Sequence, residues 1–299
     1  MASLKSQSGF SLVELVIVIV IIGLLATGIA TFITRPIQGF IDLSRRATLV
    51  YSAENALRRM QRDIRRALPN SIRVGGGGTA IEIINTIEGQ RYRANPPPGN
   101  PDRRLQFNIA DTSFDILGNF SAATLANTNI NHVAIYNIGS IDAGGAAVAG
   151  ANAYASADAI TGANVITPNG YTITLSDDPV TTNEDNVTID DGAGGGFRFN
   201  FESPNRRMYL IDTAISYVCS GGQLTRYTGY DFTNKPTQVV PPIGGNAALM
   251  ADNIGNCQFT YDTGNPTRSG LMTLDLSVTD AATGETVRLL HQVHVDNTP

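Results

Sequence analysis

From residue 10 to residue 33 almost every position is apolar, and Glu14 is the single charge in the run. As a helix the run rises roughly 36 Å, enough for a hydrocarbon core of about 30 Å. The pattern then changes period. After Arg35-Pro36, apolar residues recur at steps of three and four: Ile37, Phe40, Ile41, Ala47, Val50, Tyr51, Leu57, Met60, Ile64 and Leu68. That is the helical repeat, and Pro69 marks its stop. The reading is one nearly continuous helix over 10–68. Its membrane-spanning part is 10–35, and its amphipathic continuation, 36–68, packs against a globular head. Pro36 is the expected kink, because it removes a backbone donor and crowds the preceding turn.

Beyond Pro69 the apolar residues fall into short runs bounded by Gly, Pro, Asn and Asp. The runs are 80–84, 104–109, 133–138, 171–175, 197–201, 208–218, 257–261, 271–278 and 286–295. Such runs predict strands, so 69–299 reads as a mostly antiparallel β head and the whole chain as α+β. Phe197, Phe199 and Phe201 alternate with polar partners, which predicts one buried aromatic face, and residues 203–205 read as the turn into the next strand. The Ala/Gly/Ser-rich stretch 140–162 and the proline loop 95–101 read as insertions on the head surface.

Composition narrows the function classes. With 21 Lys+Arg against 26 Asp+Glu, the net charge of −5 gives no basic field, and nucleic acid is not an expected partner. The amphipathic segment is nevertheless basic, with Arg45, Arg46, Arg58, Arg59, Arg62, Arg65 and Arg66 against Asp42, Glu54 and Asp63. Contact with DNA phosphates or anionic lipid is one reading of it. The other is a solvated or subunit-facing surface with helical ion pairs such as Glu54 with Arg58. No aromatic residues interleave the arginines to stack single-stranded bases.

The extreme N-terminus carries the strongest motif. Polar residues 1–9, with Lys5 the only charge, precede Gly9-Phe10-Ser11-Leu12-Val13-Glu14. No small-residue cleavage site closes the apolar run, so the run stays in the mature chain. A carboxylate in such a span costs energy and signals a partner. The plain alternative is a signal anchor with an incidental acid. The pattern of leader, glycine, phenylalanine and a glutamate at the fifth position of the span resembles the class III signal of type IV pilins and type II secretion pseudopilins. The resemblance implies cleavage between Gly9 and Phe10 by a prepilin peptidase/N-methyltransferase, N-methylation of Phe10, and pairing of Glu14 with a neighbouring subunit's N-terminal amine. It also makes the span a filament core and residues 1–9 a class III leader. Segments 67–74, 215–227 and 288–299 are further similar to the MshO-type minor pilins of the mannose-sensitive haemagglutinin pilus, themselves similar to PilW and the J-type minor pseudopilins. Major pilins usually carry a proline within the span. Here there is none between residues 10 and 35, so any local melting would depend on Gly23 and Gly28.

Lys5 favours the cytoplasm, although Arg35 weakens the count, and residues after about 35 are assigned to the periplasm. In that oxidising compartment the two cysteines, Cys219 and Cys257, read as a disulfide, with two buried free thiols as the alternative. Neither has a nearby histidine pair to make a zinc site. His132 is isolated, and His291 and His294 would point to opposite faces of a strand, so all three read as structural. The acidic residues Asp177, Asp178, Glu184, Asp185, Asp190 and Asp191 offer oxygen ligands suited to calcium but match no EF-hand loop. Asp177, Asp178, Asp190 and Asp191 are the metal candidates, against a solvated polar loop; no metal or cofactor is expected. No P-loop, Gly-x-Ser-x-Gly or paired-histidine motif occurs, and no catalyst is expected.

The leading expectation is a minor pilus subunit that helps initiate or cap a filament and contributes to surface attachment, anchored in the inner membrane by a single pass before export. Its partners would be other pilins and minor pilins. The alternatives are a minor pseudopilin of a type II secretion system, or a tip module that binds a surface ligand or DNA.

Overall fold

The computed structural model describes residues 9, 11–97, 100, 103–178, 181, 183–264, 269–281 and 283–299. Phe10, residues 1–8 of the expected leader, and Pro98, Gly99 and Pro101 of the proline loop lie outside the described residues. The chain divides into two compact units, Met1–Tyr51 and Ser52–Pro299. An apolar N-terminal helix followed by a mostly antiparallel β head makes the fold α+β and pilin-like.

Helix α1 (Leu12–Arg65) contains Pro36 in its interior. Within the first unit, the 18-residue window Leu12–Ile29 is long and apolar enough to cross a membrane, and none of it is buried in the protein. Leu12 and Phe32 are about four-fifths exposed. A contiguous exposed apolar surface of this size marks a membrane or protein interaction surface. Thr27, the polar residue in its midst, directs its hydroxyl to the carbonyl oxygen of Leu24 at 2.9 Å, satisfying itself within the helix.

In the second unit α1 buries Ala53, Ala56, Leu57, Met60 and Ile64, at the three-and-four spacing of an apolar stripe. It ends three residues before the expected residue 68. The backbone there leaves the helix to enter the sheet: Leu68 N–H donates to Ile84 O at 2.8 Å, and Ala67 bridges Asn85.

The strands are β1 (Arg73–Gly75), β2 (Ala80–Arg91), β3 (Ser113–Asp115), β4 (His132–Ile135), β5 (Thr172–Asp177), β6 (Asp185–Asp190), β7 (Arg207–Ser220), β8 (Gln223–Thr228), β9 (Asn246–Ala251), β10 (Ile254–Asp262), β11 (Gly270–Thr279) and β12 (Thr286–Val295), with a short α2 (Ala122–Leu125) between β3 and β4. They form a six-stranded sheet ordered β1-β2-β7-β8-β9 with β4 also on β7, and two three-stranded sheets, β10-β11-β12 and β3-β6-β5. Every named pair is antiparallel. The disulfide Cys219–Cys257 joins β7 to β10, and so ties the large sheet to the C-terminal one.

Several runs differ from the sequence reading. Residues 104–109 and 197–201 are not strands. Their apolar side chains still reach the core from irregular backbone, with Leu105, Phe197 and Phe199 buried and only single bridges at Asp111–Phe197 and Asn164–Phe199. Gly196 permits the first bridge, because a Cβ there would sit 2.1 Å from Asp111 O. Phe201 is only half-buried, so the aromatic face narrows to two rings, packed edge to face at 5.0 Å. The run 133–138 stops at Ile135, since Tyr136 takes a left-handed φ of 49°. The turn at 203–205 is present, closed by Arg206 N–H to Ser203 O at 2.9 Å.

The stretch 140–162 is not a mere surface insertion. Ala153, Tyr154 and Ala155 are buried within it, and Tyr154 belongs to a core cluster with Leu68, Ile84, Ile166 and Phe232. Asn137 holds it down, accepting from Ala153 N–H at 3.0 Å and donating to Pro69 O at 2.8 Å.

Candidate functional site

The N-terminal motif lies in the first unit. Ser11 stands at the cap of α1: its hydroxyl accepts from Glu14 N–H at 3.2 Å, and its carbonyl accepts from Leu15 N–H at 3.2 Å. Ser11 and Glu14 therefore have the Ser-x-x-Glu spacing of a capping box, with the serine half of it formed. The Ser-x-x-Glu spacing that signals it is legible in the sequence. It gives Glu14 a place in the first helical turn, where exposed N–H groups and the helix dipole favour a negative charge.

Gly9 is not demanded by the fold. A Cβ built on it meets nothing within 4 Å, and its φ lies outside the left-handed range. Gly23 and Gly28 likewise have open space about their Cβ positions. Phe10 lies outside the described residues.

The arginine-rich surface is partly neutralised. Arg45 approaches Asp42 at 4.0 Å within the first unit. In the second unit Arg58 pairs with Glu54 at 2.6 Å, the expected i,i+4 contact, and Arg59 pairs with Asp63 at 3.3 Å. Asp63 is the buried centre of this cluster. Its Oδ2 accepts from Arg226 Nε of β8 at 2.9 Å and from Tyr217 Oη of β7 at 2.8 Å. Burial pushes the Tyr217 phenol well up, and the adjacent Asp63 carboxylate adds to the shift. The phenol stays a donor.

A second buried polar set underlies β2. Glu82 pairs with Arg73 and accepts from Tyr230 Oη at 2.8 Å, while Tyr230 Oη lies 2.6 Å from Ser216 Oγ. The Arg73 guanidinium stacks over the Tyr154 ring at 3.6 Å. Burial, reinforced by Glu82, raises the Tyr154 and Tyr230 phenols far above their usual range. Both phenols stay protonated donors.

The acidic residues divide between buried pairs and an exposed turn. Asp178 is buried and pairs with Arg103 at 2.7 Å. Asp185 is also buried and accepts from Asn119 Nδ2 at 2.9 Å and Phe120 N–H at 2.7 Å. Glu184 pairs with Arg93. Asp190 and Asp191 close the turn after β6: Asp190 Oδ1 accepts from Gly192 N–H at 2.8 Å, and Asp191 Oδ1 from Ala193 N–H at 2.8 Å. The turn amides hold the Asp191 carboxyl below its usual range. Asp177 is exposed at the end of β5. Among the described residues no three His, Cys, Asp or Glu side chains converge as a metal site.

His132 is buried, with Nδ1 2.7 Å from Thr167 O and its ring edge-on to Phe232 at 5.2 Å. His291 and His294 fall on opposite faces of β12, one half-buried and the other exposed.

A family model described as the prokaryotic N-terminal methylation motif matches residues 4–30. No curated protein matches the chain, and no solved structure does. The matched span contains Gly9, Phe10, Ser11 and Glu14, and it supports a type IV pilin-like or pseudopilin-like subunit. The motif implies processing by a prepilin peptidase and assembly with other pilins. It also suggests a structural subunit rather than an enzyme, and the apolar helix behind it is consistent with membrane anchoring.

Proposed function

We propose that the chain is a minor subunit of a type IV pilus, of the MshO type found in the mannose-sensitive haemagglutinin system, which helps initiate or cap the filament and contributes to surface attachment. One observation carries the reading: a methylation motif heads an 18-residue apolar span that buries nothing within its own chain. Such a surface is covered by lipid before assembly and by neighbouring helices after it. Segments 67–74, 215–227 and 288–299 support the finer choice of pilus system.

In this reading the prepilin peptidase cuts between Gly9 and Phe10. Since the fold places no steric demand on residue 9, the glycine answers to the peptidase, whose active site must approach the backbone. Cleavage frees an amine on Phe10, which is then methylated. Glu14 meets the amine of an adjacent subunit, so two charges enter the apolar bundle as a pair. The β head lies in the periplasm before export and on the filament afterwards.

Helix capping and charge pairing can be separated at Glu14. Glutamine serves the third position of a capping box as glutamate does but carries no charge. Glu14→Gln and Glu14→Ala should therefore both be cleaved normally and both fail to enter filaments. Normal piliation with Glu14→Gln would reduce Glu14 to a helix cap. A type II secretion pseudopilin carries the same signal, and deletion separates the two systems: loss of surface pili with secretion intact supports the pilus, and the reverse result supports the pseudopilus.

A further inference from the structure

Strand β9 is an edge of the six-stranded sheet. It pairs with β8 on one side, and among the described residues nothing pairs with its other side. Natural edge strands are normally guarded by a charge, a proline or a covering loop. Asn246-Ala247-Ala248-Leu249-Met250-Ala251 has neither charge nor proline, its first four residues are exposed, and Leu249 is 57% exposed. A bulge at Met250 interrupts the pairing only near the C-terminal end of the strand.

Beside this edge runs a cationic row. Asn55, Arg58, Arg59 and Arg62 recur at steps of three and four on α1 and, with Met250, line a groove of about 580 Å³. Between residues 54 and 66 the chain has five arginines against two carboxylates. Glu54 and Asp63 are already engaged with Arg58 and Arg59, and among the described residues Arg62 has no partner.

The register relates the two features. Arg226 of β8 stands opposite Ala248 and reaches Asp63 on the helix, which identifies the helix-facing side of the sheet at β9. A strand laid against the free edge would present every second side chain to that side. We propose that β9 and the Arg58–Arg62 row form a docking site for an extended segment of another protein chain with carboxylates at alternate positions. The segment adds a strand to the sheet through its main chain, and its carboxylates face the arginines. The inference does not depend on the pilus reading. Duplex DNA would satisfy the arginines but would leave the backbone edge and Met250 unused.

The test uses the full chain in detergent micelles and a short fluorescein-labelled peptide in which glutamate alternates with valine and threonine. Fluorescence anisotropy reads affinity, and hydrogen exchange reads the amides of 246–251. The site predicts saturable binding at physiological salt, slowed exchange across 246–251, and affinity about tenfold weaker in Arg62→Glu. Arg104→Glu, an exposed arginine elsewhere on the head, should bind as the parent does. The same peptide with alternate backbone amides N-methylated keeps its charge but cannot pair, and it should not bind. Equal binding of the methylated peptide would overturn the proposal, as would binding without protection of 246–251 or no saturable binding up to millimolar peptide. Duplex DNA that displaces the peptide while leaving 246–251 unprotected would assign the arginines to nucleic acid instead.

Discussion

Tyr217, in the central strand β7, donates a 2.8 Å hydrogen bond to Asp63, near the end of α1. The same carboxylate oxygen accepts from Arg226 at 2.9 Å, so one buried acid fixes the last helical turns to two neighbouring strands. Asp63→Ala would leave a largely buried guanidinium and a buried phenol without their acceptor. Removing one partner of a buried pair costs about 3–5 kcal/mol. Tyr217→Phe removes one hydrogen bond and keeps the packing, which costs about 1 kcal/mol. Denaturant unfolding of the two variants should reproduce that order, and equal losses would contradict it.

The bridge between Cys219 and Cys257 spans 38 residues. On the chain-entropy model a loop of that length is worth about 4 kcal/mol. A Cys219→Ser/Cys257→Ser chain should unfold at correspondingly lower denaturant, and alkylation of the parent without reductant should label neither cysteine. A parent that reacts with the alkylating agent would refute the bridge.

Burial holds the His132 imidazole below its ordinary value of about 6.5, outweighing the contacts to Thr167 O and Asp231 that favour the charged form. Between the depressed folded value and 6.5, the unfolded chain binds more protons than the folded one, so stability rises with pH through that window. The contribution is complete above about 6.5 and is lost as the pH falls through the window. Unfolding free energies measured from about pH 7 down to 5 should decline less steeply in His132→Gln than in the parent. Parallel profiles would remove His132 from the acid response.

Tyr154 carries the core role of the stretch 140–162. Its hydroxyl donates to Ser71 O at 2.9 Å, and its ring lies under Arg73 and edge-on to Phe232. Tyr154→Phe should cost about 1 kcal/mol and Tyr154→Ala about 3–5 kcal/mol. Replacing residues 140–162 with a short glycine linker should prevent the head from folding. A stable head after that deletion, read by thermal melting, would restore the stretch to a surface insertion.

Periodicity made the span, the buried helix stripe and strands β7, β11 and β12 legible, because each shows its apolar repeat over ten or more residues. Strand β9 is not legible because alanine makes up half of it and its place comes from pairing with β8, not from its own propensity. Strand β6 is masked in the sequence by its terminal Asp185 and Asp190, which read as oxygen ligands although Val187 and Ile189 between them are buried. The stretch 140–162 misled for a related reason. Alanine, glycine and serine suggest exposure, while burial there depends on Tyr154 and on Asn137 from outside the stretch. At the N-terminus the glycine and glutamate could be read directly; the Ser11-x-x-Glu14 spacing was equally legible, and geometry adds that the Ser11 hydroxyl caps the helix at Glu14 N–H.

The central claim is that Gly9 ends a leader and Phe10 begins the working subunit. Intact-mass spectrometry of the chain, purified from membranes of cells that express a prepilin peptidase, tests it most directly. The account predicts the mass of residues 10–299 plus one CH2 for the N-methyl group and less two hydrogens for the disulfide, with Gly9→Tyr keeping the full-length mass. A wild-type chain that retains residues 1–9, or is cut after the apolar span, would contradict it.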